Sequence, residues 1–348
     1  MTDIAIVILN WNTRQQLEQF LPNVLAHSKE KGVEVVVADN GSTDDSVAYM
    51  RENHPGVRLI EFDTNHGFTG GYNRALAQIE ARYYLLLNSD VEVTSGWLQP
   101  LKACMEENSS VAACMPKMKS WHQPKYFEYA GAAGGFIDKY GYPFCRGRIL
   151  EAIEQDQGQY DKDSEIFWAT GACMLVRSDL FHQEGGFDEA FFAHMEEIDL
   201  CWRLKNKGHS IRYVHESTVY HVGGGTLPKN SPFKPFLNYR NNLFLLYKNL
   251  PAKRLNQHIQ IRKSLDILSS LVFLTKANLQ GFRAVLKAHR HFRKALPELK
   301  KKRQKNAPTS GNFPSGIYPK SILWDYFIRR RRSFALLNFT TKPQSNEQ

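Results

Sequence analysis

Cysteine is scarce in this 348-residue chain: the five residues Cys104, Cys114, Cys145, Cys173 and Cys201 are scattered, odd in number and never spaced as CxxC. A disulfide framework is therefore disfavoured, and the simplest reading is reduced thiols in a cytosolic protein. Long apolar runs are also missing. The longest patch in the last third, 265–274, is broken by Asp266 and two serines and flanked by Lys263 and Lys276, too short and too polar to span a bilayer. No basic region precedes the opening TDIAIVIL, so the start is not expected to be a signal peptide. No GxGxxG follows the first apolar run and no GxxxxGK[ST] occurs, which disfavours the usual dinucleotide site and a P-loop. Acid is nearly absent from one end. Residues 226–348 hold 25 Lys and Arg against 4 Asp and Glu, whereas residues 1–225 hold 20 against 31. A body of net −11 and a tail of net +21 argue for two functional regions, the tail suited to anionic lipid or nucleic acid.

What is present is a strong alternation. The apolar runs IAIVIL (4–9), VEVVVA (33–38), VRLIEF (57–62) and YYLLL (83–87) are separated by helix-like stretches at 13–27, 43–53 and 70–80. Continuous apolar strands at this spacing predict a parallel sheet covered by helices. In such sheets ligands sit beyond the carboxyl ends of the strands. The four ends carry Asn10-Trp11-Asn12, Asp39-Asn40-Gly41-Ser42, Asn65-His66-Gly67-Phe68 and Asn88-Ser89-Asp90. Each could simply cap the following helix. Four such ends on one rim predict a binding edge. Further on, a helix is expected at 95–107, a strand at 111–118 ended by Pro116, a loop or hairpin at 131–144 and a strand at 167–177. A turn and helix should follow at 185–208, then a strand pair at 210–225. After Pro235 the chain is basic and helix-prone.

The ordered blocks VILNWN, VVADNGSTDDS, NHGFTGGYNRAL and LLLNSDVEV, followed by TGACMLVR, GGFDEAFFAHMEEIDLCWRLKNKG and VYHVGGG, resemble the inverting family 2 glycosyltransferases of GT-A fold over residues 3–247, and within them a bacterial rhamnosyltransferase-like subgroup. The fold implied is α/β, a Rossmann-like mixed sheet flanked by helices, with a basic helical C-terminal extension. The activity implied is transfer of a sugar from a nucleotide-diphosphate donor to an acceptor hydroxyl. Charge grows on the departing diphosphate, which a divalent cation (Mg2+ or Mn2+) stabilises. The acceptor hydroxyl needs a carboxylate to take its proton.

The same resemblance implies the roles. Asp39 meets the base or ribose with Asn10 and Asn12 near it. Asn65, Gly67, Gly71, Asn73 and Asn88 belong to the nucleotide side, and Arg240 meets the diphosphate. Asp90 is the metal aspartate, with His221 beside it. The usual first carboxylate of that motif is replaced by Asn88, so the metal should arrive largely with the donor; Glu92 is a candidate second carboxylate. In the 185–208 block, Glu197 occupies the position of the base, Glu where the family usually has Asp, with Glu196 in reserve. Trp168, Gly171 and Asp199 fall on the acceptor side, although Asp199 and Arg203, four residues apart on a helix, also read as a salt-bridged pair.

The expected division is 1–247 for the transferase (1–93 nucleotide half, 94–247 acceptor half), 248–337 for a basic amphipathic region and 338–348 for a disordered tail. Basic, apolar segments at 253–305 and 320–337 suit an anionic membrane interface. The implied partners are a nucleotide sugar, a glycan or lipid-linked glycan acceptor and that membrane surface at the cytoplasmic face, and not nucleic acid. The competing readings are a nucleic-acid binder using the tail and a sugar nucleotidyltransferase.

Overall fold

The computed structural model describes residues 2–223, 233–305 and 313–339. The first half forms β1 (Thr2–Asn10), α1 (Arg14–His27), β2 (Val33–Asp39), α2 (Ser46–Asn53), β3 (Arg58–Glu61), α3 (Gly67–Leu76) and β4 (Ala81–Asn88). These four strands are parallel, side by side in the order β4-β1-β2-β3. Ile4, Ala5, Ile6, Val7 and Ile8 are all at most 1% exposed, because helices cover both faces of the sheet.

The chain continues through β5 (Val91–Val93), α4 (Leu98–Glu107), β6 (Val111–Ser120), β7 (Gly135–Asp138), β8 (Pro143–Cys145), β9 (Arg148–Ile149) and β10 (Ala152–Ile153). Then come β11 (Ser164–Ile166), β12 (Cys173–Arg177), α5 (Ser178–Gln183), α6 (Glu196–Asn206) and β13 (Ser210–His221). The main sheet reads β11-β13-β6-β12-β4-β1-β2-β3, with β5 on β13. β12 is antiparallel to both neighbours, so the sheet is mixed, as expected. A smaller sheet, β10-β9-β8-β7-β14, uses β14 (Ile317–Tyr318). The remaining helices are α7 (Phe233–Asn249), α8 (Ala252–Thr275), α9 (Leu279–Lys305) and α10 (Ile322–Phe327).

Three strand expectations change. Pro116 does not end its strand, because β6 runs on to Ser120. Proline cannot donate to a ladder and is tolerated beside irregularities, and the register of β13 on β6 shifts here, between Val214 and Thr218, opposite Pro116 and Lys117. That same break made 210–225 look like two strands. It is one strand with the irregularity absorbed. The strand expected at 167–177 starts only at Cys173, since residues 167–172 form a connection. The boundary drawn at 247 falls in the last turn of α7, and Phe292, Leu299, Tyr318 and Leu337 join the same hydrophobic core as β1. The tail expected to be disordered lies, from 340 onward, outside the described residues. Among the described residues no helix is long and apolar enough to cross a membrane.

Trp168 ties the small sheet to the large one. Its backbone pairs with Gly135, its indole Nε1 donates to the Phe136 carbonyl at 2.8 Å, and a Cβ on Gly135 would fall inside the ring. With 3% of its surface exposed, Trp168 is an internal wedge rather than an acceptor-lining residue, which corrects its expected role. Gly135→Ala should therefore overpack the junction and cost about 2–3 kcal/mol, read as a lowered urea midpoint with an unchanged slope.

Candidate active site

The carboxyl ends of β1 and β2 are cross-linked by side chains. Asn10 Nδ2 donates to Asp39 Oδ1 at 2.8 Å and to Ser42 Oγ at 3.1 Å, while Asp39 Oδ2 accepts from the Ser42 N–H at 2.9 Å. Asn12, in the left-handed region at φ 54°, accepts from the Thr43 N–H at 2.7 Å. Asn40 bridges to the next end, donating to Asn65 Oδ1 and the Gly67 carbonyl, both at 3.0 Å. The expected rim thus exists as one bonded edge, in which Asn40, one of the polar residues at the second strand end, is the bridging member.

Several expected nucleotide contacts have other work. A Cβ on Gly67 would strike the Phe192 ring and one on Gly71 would strike Leu9, so both glycines make room for protein. Asn73 exchanges two hydrogen bonds with the Phe187 backbone, at 2.8 and 2.9 Å, and is a packing pin. Arg240 donates to the carbonyls of Ala190 and Phe191 at 2.8 and 2.9 Å, holding that loop.

At the end of β4, the pairing of β5 with β13 sets His221 opposite Val91 and so beside Asp90. His221 Nε2 lies 3.1 Å from Asp90 Oδ1 and 3.4 Å from Asn88 Nδ2, and the Gly223 N–H donates to Asp90 Oδ2 at 3.2 Å. On the far side of the ring, Nδ1 stands 3.4 Å from Glu128 Oε1. Glu128 is buried and escaped the sequence reading, because it sits in a stretch with no clear pattern. Burial opposes charge on His221, but Glu128 and Asp90 outweigh it and hold the imidazole pKa up at about 10. Burial likewise opposes the Asp90 charge, and His221 and the Gly223 N–H overcome it, keeping that carboxyl below its ordinary range. Glu92 does not join them; it accepts from Trp121 Nε1 at 2.9 Å.

This donor set fits a divalent metal in part: Asp90 offers a carboxylate, and His221 would offer Nε2 once it gives up the proton that its raised pKa keeps there. A carboxylate behind the second ring nitrogen is the arrangement that orients a metal-binding histidine. Among the described residues no three His, Cys, Asp or Glu side chains converge to hold a metal by themselves. The pair is a partial shell that donor phosphates would complete.

The second pole lies at the start of α6. Phe192, His194 and Met195 all have positive φ, 66°, 68° and 74°. Non-glycine residues in this region are strained and need support. Buried Asn241 of α7 supplies it, with Nδ2 at 3.0, 2.8 and 2.7 Å from the carbonyls of Phe191, Ala193 and His194. The turn delivers Glu196 and Glu197 to the helix N-terminus, each with Oε2 buried and unpartnered among the described residues. Burial pushes Glu197 up to about 7 against the pull of the backbone N–H groups of Glu197, Ile198 and Met195. Glu196 is pushed well up by burial and by the neighbouring Glu197 charge. Glu197 is the more exposed of the two and faces Gly171, where an added Cβ would come within 3.8 Å of its own Cβ. The Cys145 thiol is raised chiefly by burial; Arg148 beside it pulls the other way, and the Glu128 and Glu197 charges add smaller upward pushes.

Asp199 belongs to neither pole. Fully buried, it accepts from Arg203 Nε at 2.9 Å, Lys248 Nζ at 2.8 Å and Asn249 Nδ2 at 2.8 Å. The salt-bridged pairing with Arg203 holds, and the acceptor-side assignment is corrected, since no face of the carboxylate is left for a ligand. Removing one partner of a buried ion pair costs about 3–5 kcal/mol. Asp199→Ala should lose that much stability in urea denaturation, whereas a residue that only touched acceptor would leave the midpoint in place.

Comparison with known proteins agrees with this architecture. The N-acetylglucosaminyl-diphospho-decaprenol L-rhamnosyltransferase of Mycobacterium tuberculosis is 29% identical over 240 residues, 64% of this chain and 76% of that one. Rhamnosyltransferase WbbL of Escherichia coli K12 is 24% identical over 224 residues, 61% and 80% of the two chains. Among solved structures, S. aureus TarS in complex with UDP-GlcNAc aligns with a TM-score of 0.58 at 16% identity, over 86% of this chain and 83% of TarS. GalNAc-T7 with UDP, GalNAc and Mn2+ aligns at 0.55 and 15%, over 71% and 48%. At these identities the structural likeness is one of fold, the GT-A type. The family model described as Glycosyl transferase family 2 matches residues 5–185, more than half of the sequence, and the chain belongs to that family.

Proposed function

We propose that this glycosyltransferase moves a hexose from a nucleoside-diphosphate donor to a hydroxyl of a lipid-linked glycan, with inversion, at a membrane face during bacterial surface-polysaccharide synthesis. The observation that carries the reading is the pair of poles, the buried Asp90–His221 pair at the end of β4 and the unpartnered Glu197 carboxylate with a pKa of about 7. The acceptor class is taken from the mycobacterial relative, whose name specifies a diphospho-decaprenol substrate.

In this reading the Asn10–Asp39 edge and Asn12 take the nucleoside, with Asn65 and Asn88 along the same rim. Asp90 would hold a divalent metal, with His221 joining it once its ring proton is released, and the metal would neutralise charge on the diphosphate. Glu128 keeps His221 turned toward that position. Glu197 accepts the acceptor proton as the acceptor oxygen bonds to the anomeric carbon, and the bond to the diphosphate breaks with its electron pair leaving on phosphate. Gly171, where an added Cβ would meet the Phe68 ring at 3.1 Å, lets Phe68 pack close beside Glu197.

Glu197→Gln keeps the shape and removes the base. We expect kcat to fall roughly 10²–10⁴-fold with donor affinity by calorimetry unchanged; full activity in this variant together with loss in Glu196→Gln would move the role to Glu196. In the wild type, kcat/KM should drop about tenfold per pH unit below about 7, as Glu197 becomes protonated and cannot take a proton, and level off above it. Asp90→Ala should abolish the Mg2+ or Mn2+ dependence of donor binding, measured by titration with and without metal. Donor binding that never depended on metal would remove Asp90 and His221 from that role.

A further inference from the structure

α8 is built inside out over its second half. Its buried positions include Arg262, Asp266 and Ser270. Arg262 Nε donates to Asp266 Oδ1 at 2.7 Å, and His289 Nε2 of α9 stands 3.1 Å from Asp266 Oδ2. Its outward positions are Ile267, Leu268, Leu271, Val272 and Leu274, between 38% and 60% exposed. A helix facing water shows the opposite arrangement. The change is local, because the outward residues one and two turns earlier are polar, among them Gln257, Gln260 and Ser264. The apolar face continues through the turn to exposed Leu279 and Leu286.

The surrounding charge has one sign. No Asp or Glu occurs from 267 to 297, whereas Lys276, Arg283, Lys287 and Arg290 lie exposed around the apolar face. A second patch of the same kind stands nearby: Trp324, Phe327 and Ile328 of α10 and the residue after it are 57–59% exposed and run into Arg329–332. Tyr140 lies between the two helices: its carbonyl accepts at 3.3 Å from Arg262, on the inner side of α8, and it lines one cleft with Lys139, Trp324 and Arg329.

We propose that the outward face of α8 from 267 to 274, with the α8–α9 turn and the α10 patch, is the surface by which the enzyme sits in an anionic bilayer. Apolar side chains at the centre enter the acyl boundary, and the basic rim meets lipid phosphates. Charge decides against a second copy of the chain as occupant: a two-fold contact would set this basic rim against itself. The inference rests on the reading of a lipid-linked acceptor and adds where the protein meets the lipid.

The test is flotation of the full chain with phosphatidylcholine vesicles, with and without about 30 mol % phosphatidylglycerol. Binding should require the anionic lipid and weaken with salt. Leu268→Glu/Leu271→Glu should lower partition roughly tenfold or more while leaving hydrolysis of a soluble nucleotide sugar and the melting temperature unchanged, since both positions face outward. Lys276→Gln/Arg283→Gln/Arg290→Gln should erase the preference for anionic lipid. Trp324 emission, taken as the difference from Trp324→Phe, should shift to the blue on vesicles. Wild-type protein that stays unbound at low salt would overturn the proposal. So would a Leu268→Glu/Leu271→Glu variant that binds as well as wild type, or one whose effect is to split a stable dimer in light scattering. Vesicle binding that behaves as described in a protein transferring no sugar would instead count against the transferase reading and leave this surface standing.

Discussion

The buried carboxylate of Asp199 is the tie on which the reacting half depends. It joins α6 to the end of α7 through Lys248 and Asn249. Lys248 also meets Asp188 at 2.7 Å, and Asp188 in turn meets Lys302 of α9 at 2.6 Å. Burial alone would push both carboxyls up, but the cations around them hold both below the ordinary range, so the network is charged throughout. A closed set of this kind fixes direction better than apolar packing, because each partner has one geometry in which its charge is satisfied. The basic helices are therefore a splint for the helix that bears Glu196 and Glu197.

The same splint explains how a strained turn survives. Three non-glycine residues with positive φ precede α6, and Asn241 and Arg240 hold the carbonyls between them. Strain at this place has a consequence for chemistry: it brings two carboxylates into a buried position at a helix N-terminus without pairing them. At the other pole the order is reversed. There every charged group is paired, Asp90 with His221 and His221 with Glu128, and the arrangement is one that a cation entering beside a diphosphate would share.

The strand ends were legible because a parallel sheet writes itself into sequence as apolar runs followed by polar stops, and the rim Asn10–Asp39–Asn40–Asn65 is what those stops become. Their individual jobs were less legible. Asn73, Gly67 and Gly71 follow the same polar or small-residue pattern as ligand contacts, yet their partners are Phe187, Phe192 and Leu9. A hydrogen-bonding side chain or a missing Cβ looks alike in sequence whether it faces a nucleotide or another part of the chain. Trp168 and Arg240 show the same ambiguity, since an indole or a guanidinium serves packing as readily as recognition.

By itself the sequence determined the α/β alternation, the polar rim, the family and the acid pair at 196–197, because each depends on residue types at short spacing. Tertiary structure decided which of those residues are free. Only the pairing of β5 with β13 sets His221 against Asp90, 131 residues apart, and only the path through 121–134 brings Glu128 behind it. Only the folding of α7 and α9 against α6 turns Asp199 from a candidate ligand into an internal tie. Likewise, which face of α8 meets water depends on what α9 covers: His289 draws Asp266 inward, and the apolar residues are left outside. Burial and partnership are properties of long-range contact, and no local pattern encodes them.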